Sequence, residues 1–136
     1  MTGKLVSSLR EAITACGLKD GMCISFHHHL RNGDHVLNMV MAEIADMGFR
    51  GLCVSASSIH DVHLPLASLL EQGVVTDIDT NYISAGVGRT VSAGTLDIPV
   101  TFRSHGGRAG AVYSGERHID IAFVAAPTAD CMGNIN

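Results

Sequence analysis

Short apolar segments alternate with helical patterns along most of this chain, and this alternation constrains the fold more than any other feature. Five segments are predicted as strands: residues 22–26, 52–55, 74–78, 99–103 and 119–126. Strands that alternate with helices pair in parallel and are joined by right-handed crossovers. We therefore expect an α/β fold, with a mostly parallel sheet and helices on both faces.

Helices are predicted over residues 7–15, 35–47 and 65–72, with a weaker one over 88–93 and a short helix or turn over 109–114. In the second of these, Val36, Val40 and Ile44 recur every four residues along one face.

The glycine-rich segment 104–107 is predicted as a tight turn. The very apolar segment 119–126 is predicted as a central strand that is buried on both faces. No covering helix follows that strand, so residues 1–136 are expected to form a single but incomplete domain.

The composition excludes several classes of protein. The chain has 136 residues, 46% of them hydrophobic, which argues against disorder. The net charge of -4 argues against a nucleic-acid binder. The longest apolar run is far shorter than the roughly 20 residues that span a bilayer, and no signal-like block is seen, so a cytoplasmic protein is expected. Only 16% of the residues are charged, so surface buried against another subunit or against additional chain is expected, and an oligomer is predicted.

Cysteine and histidine patterns give weak metal signals. The four cysteines form no C-x-x-C motif, so buried, reduced thiols are expected. Three consecutive histidines, residues 27–29, could supply two zinc ligands, with a third from His60, His63 or His105. Neutral, hydrogen-bonding histidines in a polar pocket are the favoured interpretation, and no bound metal is predicted.

Four polar loops follow predicted strands, at residues 27–33, 55–58, 104–108 and 127–130. Parallel strands share a carboxyl edge, so these loops are expected to converge there. They are rich in hydrogen-bond donors and cations, which suits carboxylates, phosphates or a developing oxyanion. Arg103 and Arg108 flank the third loop and favour anion binding. Asp61 and His63 are interpreted as caps of the helix near Pro65.

Several motifs resemble one known family. They are FHHHLRNGD at 26–34, VLNMVM at 36–41, DVHLPL at 61–66, RSHGGRA at 103–109 and HIDIAF at 118–123. In this order they resemble the citrate lyase alpha subunit, and the ending APTAD at 126–130 resembles CoA-transferase-like folds more broadly. The resemblance implies a CoA-transferase-like fold and a transferase that converts citrate and an acetyl-carrier into citryl-carrier and acetate. Citramalate remains an alternative substrate.

The site residues are assigned from their positions in the polar loops. Substrate-binding roles are expected for His27, His28, Arg31, His105 and Arg108, and catalytic roles for Ser57, Gly106 and Gly107. His27, His28 and Arg31 would bind carboxylates, and Arg108 would act as a second cation. The catalytic group would stabilise an oxyanion or contact the carrier.

The resemblance also implies partners. No cofactor is expected to be bound directly. An acyl-carrier prosthetic group of the phosphoribosyl-dephospho-CoA type, or a CoA thioester, would be a substrate. The lyase (beta) and acyl-carrier (gamma) subunits would be partners. Family members are several times longer, so the alternative is a truncated, inactive fragment that acts only in folding or subunit docking.

Overall fold

The computed structural model describes residues 4–27 and 33–136. The helices are α1 (Leu9–Ala15), α2 (Val36–Asp46), α3 (Pro65–Glu71), α4 (Ala85–Ser92) and α5 (His105–Ser114). The strands are β1 (Cys23–His27), β2 (Leu52–Ala56), β3 (Val75–Thr80), β4 (Thr101–Phe102) and β5 (Ile121–Val124). A short 3-10 helix, Asp61–His63, precedes α3. The predicted α/β class is confirmed.

All five strands are parallel, and their order across the sheet is β4-β3-β2-β1-β5. The crossovers through α2, α3 and α4 each add a strand in the same direction. The crossover through α5 then returns past these strands and places β5 on the far side of β1. The direction of winding therefore reverses between β1 and β5, which is where open α/β sheets bind ligands.

The apolar core lies on one face of the sheet, beneath α1 to α4. Ile24, Val54 and Ile78 of the three middle strands are fully buried there. They pack in one cluster with side chains from the four helices: Ile13, Leu37, Val40, Met41, Ile44, Leu66, Leu70 and Val87. Side chains alternate between the two faces along a strand, so the residues between these apolar ones must face the other way.

The opposite face is polar and carries α5. It presents Cys23 and Ser25 from β1, Cys53 and Ser55 from β2, and Asp77 and Asp79 from β3; we call this set the polar face. The Arg108 Nη2 atom, near the start of α5, donates to Ser25 Oγ at 2.8 Å. Because the winding reverses, right-handed crossovers place α5 on this face. Helices therefore lie on both faces, as predicted.

The prediction of a central, doubly buried strand at residues 119–126 is wrong. Within the described residues, strand β5 is an edge strand whose one partner is β1. Ile121 is buried, whereas the side chain of Val124 is 51% exposed. Apolar content alone does not distinguish a central strand from an edge strand, because position in the sheet depends on the direction of the preceding crossover.

The prediction of a turn at residues 104–107 is also wrong. Ser104 is the N-cap of α5, and its Oγ accepts the backbone N–H of Gly107 at 3.0 Å. This cap satisfies one N–H of the first turn and so allows two glycines to begin a helix. Helix α4 also begins earlier than predicted. It starts at Ala85, three residues before the predicted start at residue 88.

Candidate functional site

The polar loops leave the sheet at one edge, because all five strands run in the same direction. The carboxyl edge carries His27 at the end of β1, Ser57 after β2 and His105 after β4. His28 and Arg31 lie outside the described residues. The loop after β5 holds Asp130, whose carboxylate accepts the N–H groups of Met132 and Asn134 and so closes a local turn. The side-chain amide of Asn134 also donates to Asp130 Oδ2 at 2.7 Å. This hydrogen bond is the main cause that lowers the pKa of Asp130, and the backbone hydrogen bonds lower it further.

The loops fall into two groups along this edge. Strands β1 and β2 are neighbours, and Ser57 N–H donates to Phe26 O at 3.3 Å, so His27 and Ser57 lie in adjacent loops. Strand β4 lies three positions from β1, which corresponds to about 14 Å at the usual strand spacing. The loops after β1 and β2 therefore form one group of candidate binding residues. The start of α5 forms a second group.

A small cavity of about 10 Å³ lies at the reversal between β1 and β5. That volume is close to the least that holds one water molecule. Its lining consists of Phe26, His27, Asp34, Val36, Leu37, Ala56, Ser58, His63 and Phe123. The Phe26 and Phe123 rings stack at 5.9 Å on one wall. Polar groups therefore meet an apolar wall at the point where the fold favours a ligand.

Beside this cavity, His63 links the loop after β2, at His60, to the loop after β1, at Asp34. The sequence did not indicate this role. The Nδ1 atom of His63 accepts the backbone N–H of His60 at 3.0 Å, so the proton is on Nε2, which donates to the carbonyl of Asp34 at 3.1 Å. The ring is buried, and burial lowers the pKa of His63. The prediction that His63 caps the helix at Pro65 is wrong, because Leu64 is the N-cap of α3.

Ser57 and Ser58 are both buried at the end of β2. The Ser58 hydroxyl donates to the carbonyl of Ser57 at 2.6 Å, which fixes the backbone of this loop. Such a rigid backbone suits a loop that must hold a ligand in one geometry.

The first turn of α5 holds His105, Gly106 and Gly107, all exposed. The first N–H groups of a helix lack intrahelical acceptors and attract anions. The N–H of Gly107 already donates to Ser104 Oγ. The N–H of Gly106 is therefore the better candidate for an oxyanion or carrier contact.

The side chain of Arg108 extends from α5 onto the polar face of the sheet. Its Nη2 donates to Ser25 Oγ at 2.8 Å and to the carbonyl of Ser55 at 3.2 Å. Within the described residues its Nε is buried without a hydrogen-bond partner, and no carboxylate pairs with it. Its positive charge therefore lies between β1 and β2 without a neutralising carboxylate in this part of the chain.

Arg103, by contrast, is neutralised. Its Nε contacts Asp79 Oδ2 at 2.7 Å and its Nη1 contacts Glu116 Oε1 at 2.9 Å. These carboxylates raise the pKa of Arg103. Arg117 contacts the same Asp79 oxygen at 3.0 Å and Asp77 Oδ2 at 2.9 Å. The expectation that Arg103 helps to bind an anion is therefore wrong. The two-residue spacing of Asp77 and Asp79 is the signal that could have placed both carboxylates on one face.

In the parts of the chain that the structure describes, no three His, Cys, Asp or Glu side chains form a group suited to a metal ion. Within the same residues, no helix has the length and apolar character needed to cross a membrane.

The fold defines an open, parallel α/β protein, a class in which ligands bind at the carboxyl ends of the strands. The family model described as citrate lyase, alpha subunit (CitF), matches residues 2–136, and the chain belongs to that family.

Individual relatives agree with this assignment. The chain is 48% identical to the citrate lyase alpha chain of Haemophilus influenzae over 133 residues, which are 98% of this chain and 27% of that relative. The Escherichia coli K12 citrate lyase alpha chain is also 48% identical, with 98% and 26% covered. A solved structure from Streptococcus mutans, described as the alpha subunit of citrate lyase in complex with citrate, superposes with a TM-score of 0.96 at 50% identity, covering 98% of this chain and 26% of that one. The chain thus spans about a quarter of the length of these relatives.

Proposed function

We propose that this chain contributes to acyl exchange, in which citrate and an acetyl-carrier thioester give a citryl-carrier thioester and acetate. The observation that carries the proposal is that donor-rich loops meet at one sheet edge in a chain of the citrate lyase alpha family. The citrate complex of the Streptococcus mutans relative supports a carboxylate ligand.

The chemistry needs no nucleophile from the protein. A citrate carboxylate attacks the acetyl thioester carbonyl, the C–S bond breaks, and a mixed anhydride and a carrier thiolate result. The thiolate then attacks the citryl carbonyl of the anhydride, and acetate leaves. Both steps develop negative charge on a carbonyl oxygen. The protein must therefore supply cationic contacts, an oxyanion site and exclusion of water.

The site residues divide these tasks. We assign carboxylate contacts to His27, His28 and Arg31, which belong to the loop after β1. Ser57 lies in the next loop and would contact the reacting carbonyl or the carrier. Arg108 would act as a second cation from below the edge, since its guanidinium is held by Ser25 and Ser55.

The start of α5 is assigned to the carrier thioester. His105 is exposed there, and the N–H of Gly106 points from a helix N-terminus. Gly107 supports the turn through its hydrogen bond to Ser104. Arg108 of the same helix reaches Ser25 of β1 and so connects the start of α5 to the strand whose loop is assigned to citrate.

The substrates and partners follow from the same reaction. The carrier's phosphoribosyl-dephospho-CoA-type group, or CoA, enters as a substrate, and the chain itself holds no cofactor. Beta and gamma subunits of citrate lyase would complete the assembly. We further propose that residues 1–136 form one α/β unit whose turnover is low without the additional length that its relatives have.

Two exposed histidines at opposite ends of the sheet allow a matched test. His27 ends β1 at the carboxyl edge, whereas His118 precedes β5 at the amino edge. In the subunit extended to the length of its relatives, His27→Ala should raise KM for citrate about tenfold, which is the loss expected for one charge-assisted hydrogen bond. His118→Ala should leave it unchanged. Equal effects of the two substitutions would contradict the site.

The same assay decides the remaining points. Turnover of acetyl-thioester with citrate by the chain alone, compared with the extended subunit at equal molar concentration, should be low. Comparable rates would refute that part of the proposal. The same turnover measured with citramalate in place of citrate would show which acid the site prefers.

A further inference from the structure

Two cysteines face each other across the middle of the sheet. Cys23 of β1 is the register partner of Cys53 of β2, and both side chains belong to the polar face. Their sulfur atoms lie 3.0 Å apart and share a hydrogen bond. Paired strands are about 4.8 Å apart, which is within the roughly 4.4–6.8 Å between Cα atoms that a disulfide requires. The two strands are therefore already spaced for a covalent link.

A cation lies beside the two sulfur atoms. The Nη1 atom of Arg117 is 3.6 Å from the sulfur of Cys53. The hydrogen bond with Cys53 is the main cause that lowers the pKa of Cys23, with a further contribution from the charge of Arg117 and opposition from burial and Asp77. The same hydrogen bond, together with burial, raises the pKa of Cys53. Cys23 therefore loses its proton more readily than Cys53, which suits Cys23 as the attacking sulfur in disulfide formation.

We propose that Cys23 and Cys53 are an oxidative modification site, a dithiol that a hydroperoxide converts into an intramolecular disulfide between β1 and β2. The Cys23 thiolate attacks one peroxide oxygen and the O–O bond breaks. Cys23 becomes a sulfenic acid, and the leaving oxygen takes up a proton as water or an alcohol. The sulfur of Cys53 then attacks the Cys23 sulfur, the S–O bond breaks, and the hydroxide leaves as water with the Cys53 proton. Two thiols lose two electrons, and the peroxide gains them.

Access and location fit this chemistry. Cys23 and Cys53 retain 7% and 6% exposure, so the oxidant must be small. The pair lies toward the amino ends of the strands, away from the proposed substrate edge. The proposal therefore does not depend on acyl exchange and can fail or stand separately from it.

The other two cysteines provide the control. Cys16 and Cys131 are exposed, and in the described part of the chain neither has a second thiol within hydrogen-bond distance. Replacing both with serine removes disulfides between chains while leaving the buried pair intact. In this background, the full chain is treated with hydrogen peroxide, quenched, unfolded and alkylated, and its intact mass is measured.

The expected result is that neither thiol is alkylated and that the mass is lower by two hydrogens than that of the reduced, unalkylated chain. Dithiothreitol should restore both alkylatable thiols. In the same background, Cys53→Ser should leave Cys23 as a sulfenic acid that a dimedone probe captures. Retention of both thiols would overturn the proposal, as would addition of oxygen without a crosslink. A crosslink that forms equally fast in urea-unfolded chain would also overturn it, because the fold would then contribute nothing.

Discussion

Asp79 is the residue whose neutralisation should cost this fold most among its charged groups. Its side chain is fully buried on the polar face, and its Oδ2 accepts from Arg103 at 2.7 Å and Arg117 at 3.0 Å. In Asp79→Asn the volume is kept and the charge is lost. Both guanidiniums then lose a partner that water cannot readily replace.

The expected loss in the free energy of unfolding follows from the burial of Asp79, Arg103 and Arg117. Removing one partner of a buried ion pair typically costs about 3–5 kcal/mol. Here the two arginine side chains are 14% and 21% exposed and keep Glu116 and Asp77 as partners. The lower end, about 3 kcal/mol, is therefore expected. That is a large share of the 5–15 kcal/mol by which domains are usually stable.

Urea unfolding at neutral pH, followed by far-ultraviolet circular dichroism, measures this loss as a lower midpoint at unchanged slope. Asp77→Asn is the matched control, because Asp77 is partly exposed and, among the described residues, forms an ion pair with Arg117 alone. It should cost about 1 kcal/mol. If Asp79→Asn costs no more than Asp77→Asn, burial does not set the strength of this network and the reasoning is wrong.

Three further predictions test local features of the fold. The pKa of His63 is lowered by burial, so the unfolded chain binds the proton first. Stability should therefore fall as the pH drops below 6.5, by at most about 1.4 kcal/mol per pH unit, until the pH passes below the folded-state pKa. His63→Gln should remove that dependence in urea titrations, and an unchanged pH profile would count against it. Ser104→Ala should cost about 1 kcal/mol through loss of the α5 cap, whereas Ser104→Thr should cost less. Gly115 has φ 80°, so Gly115→Ala should lower the melting temperature, while Gly110→Ala within α5 should raise it. The opposite ranking would contradict the cap geometry.

The amino-acid sequence determined the alternation of strands and helices, because this information is local. The four-residue spacing of Val36, Val40 and Ile44 predicted α2 to within one residue at each end. Gly48 and Gly73, which follow α2 and α3, have positive φ, the conformation in which glycine commonly ends a helix. The polar loops and their common edge follow from the same alternation, since parallel strands share their direction.

Strand order was decided only by the tertiary structure. Residues 119–126 are apolar enough for the middle of a sheet, yet β5 lies at its edge. Position in the sheet depends on which way a crossover turns, and that choice reflects packing between residues far apart in the chain. The start of α5 at His105 was not predicted for a different reason. One hydroxyl of Ser104 offsets the low helix propensity of two glycines.

The pairings on the polar face were also beyond the sequence. Asp79 meets Arg103 and Arg117, and Cys23 meets Cys53, across separations of 24, 38 and 30 residues. Composition shows that such charges and thiols exist, and periodicity shows which face of a strand they occupy. The register between β1 and β2 decides that the two cysteines meet, because side chains on neighbouring strands meet only at matching positions about 4.8 Å apart. Arg103 and Arg117 follow β4 and α5, so their contacts with Asp79 depend on how these segments pack on the polar face.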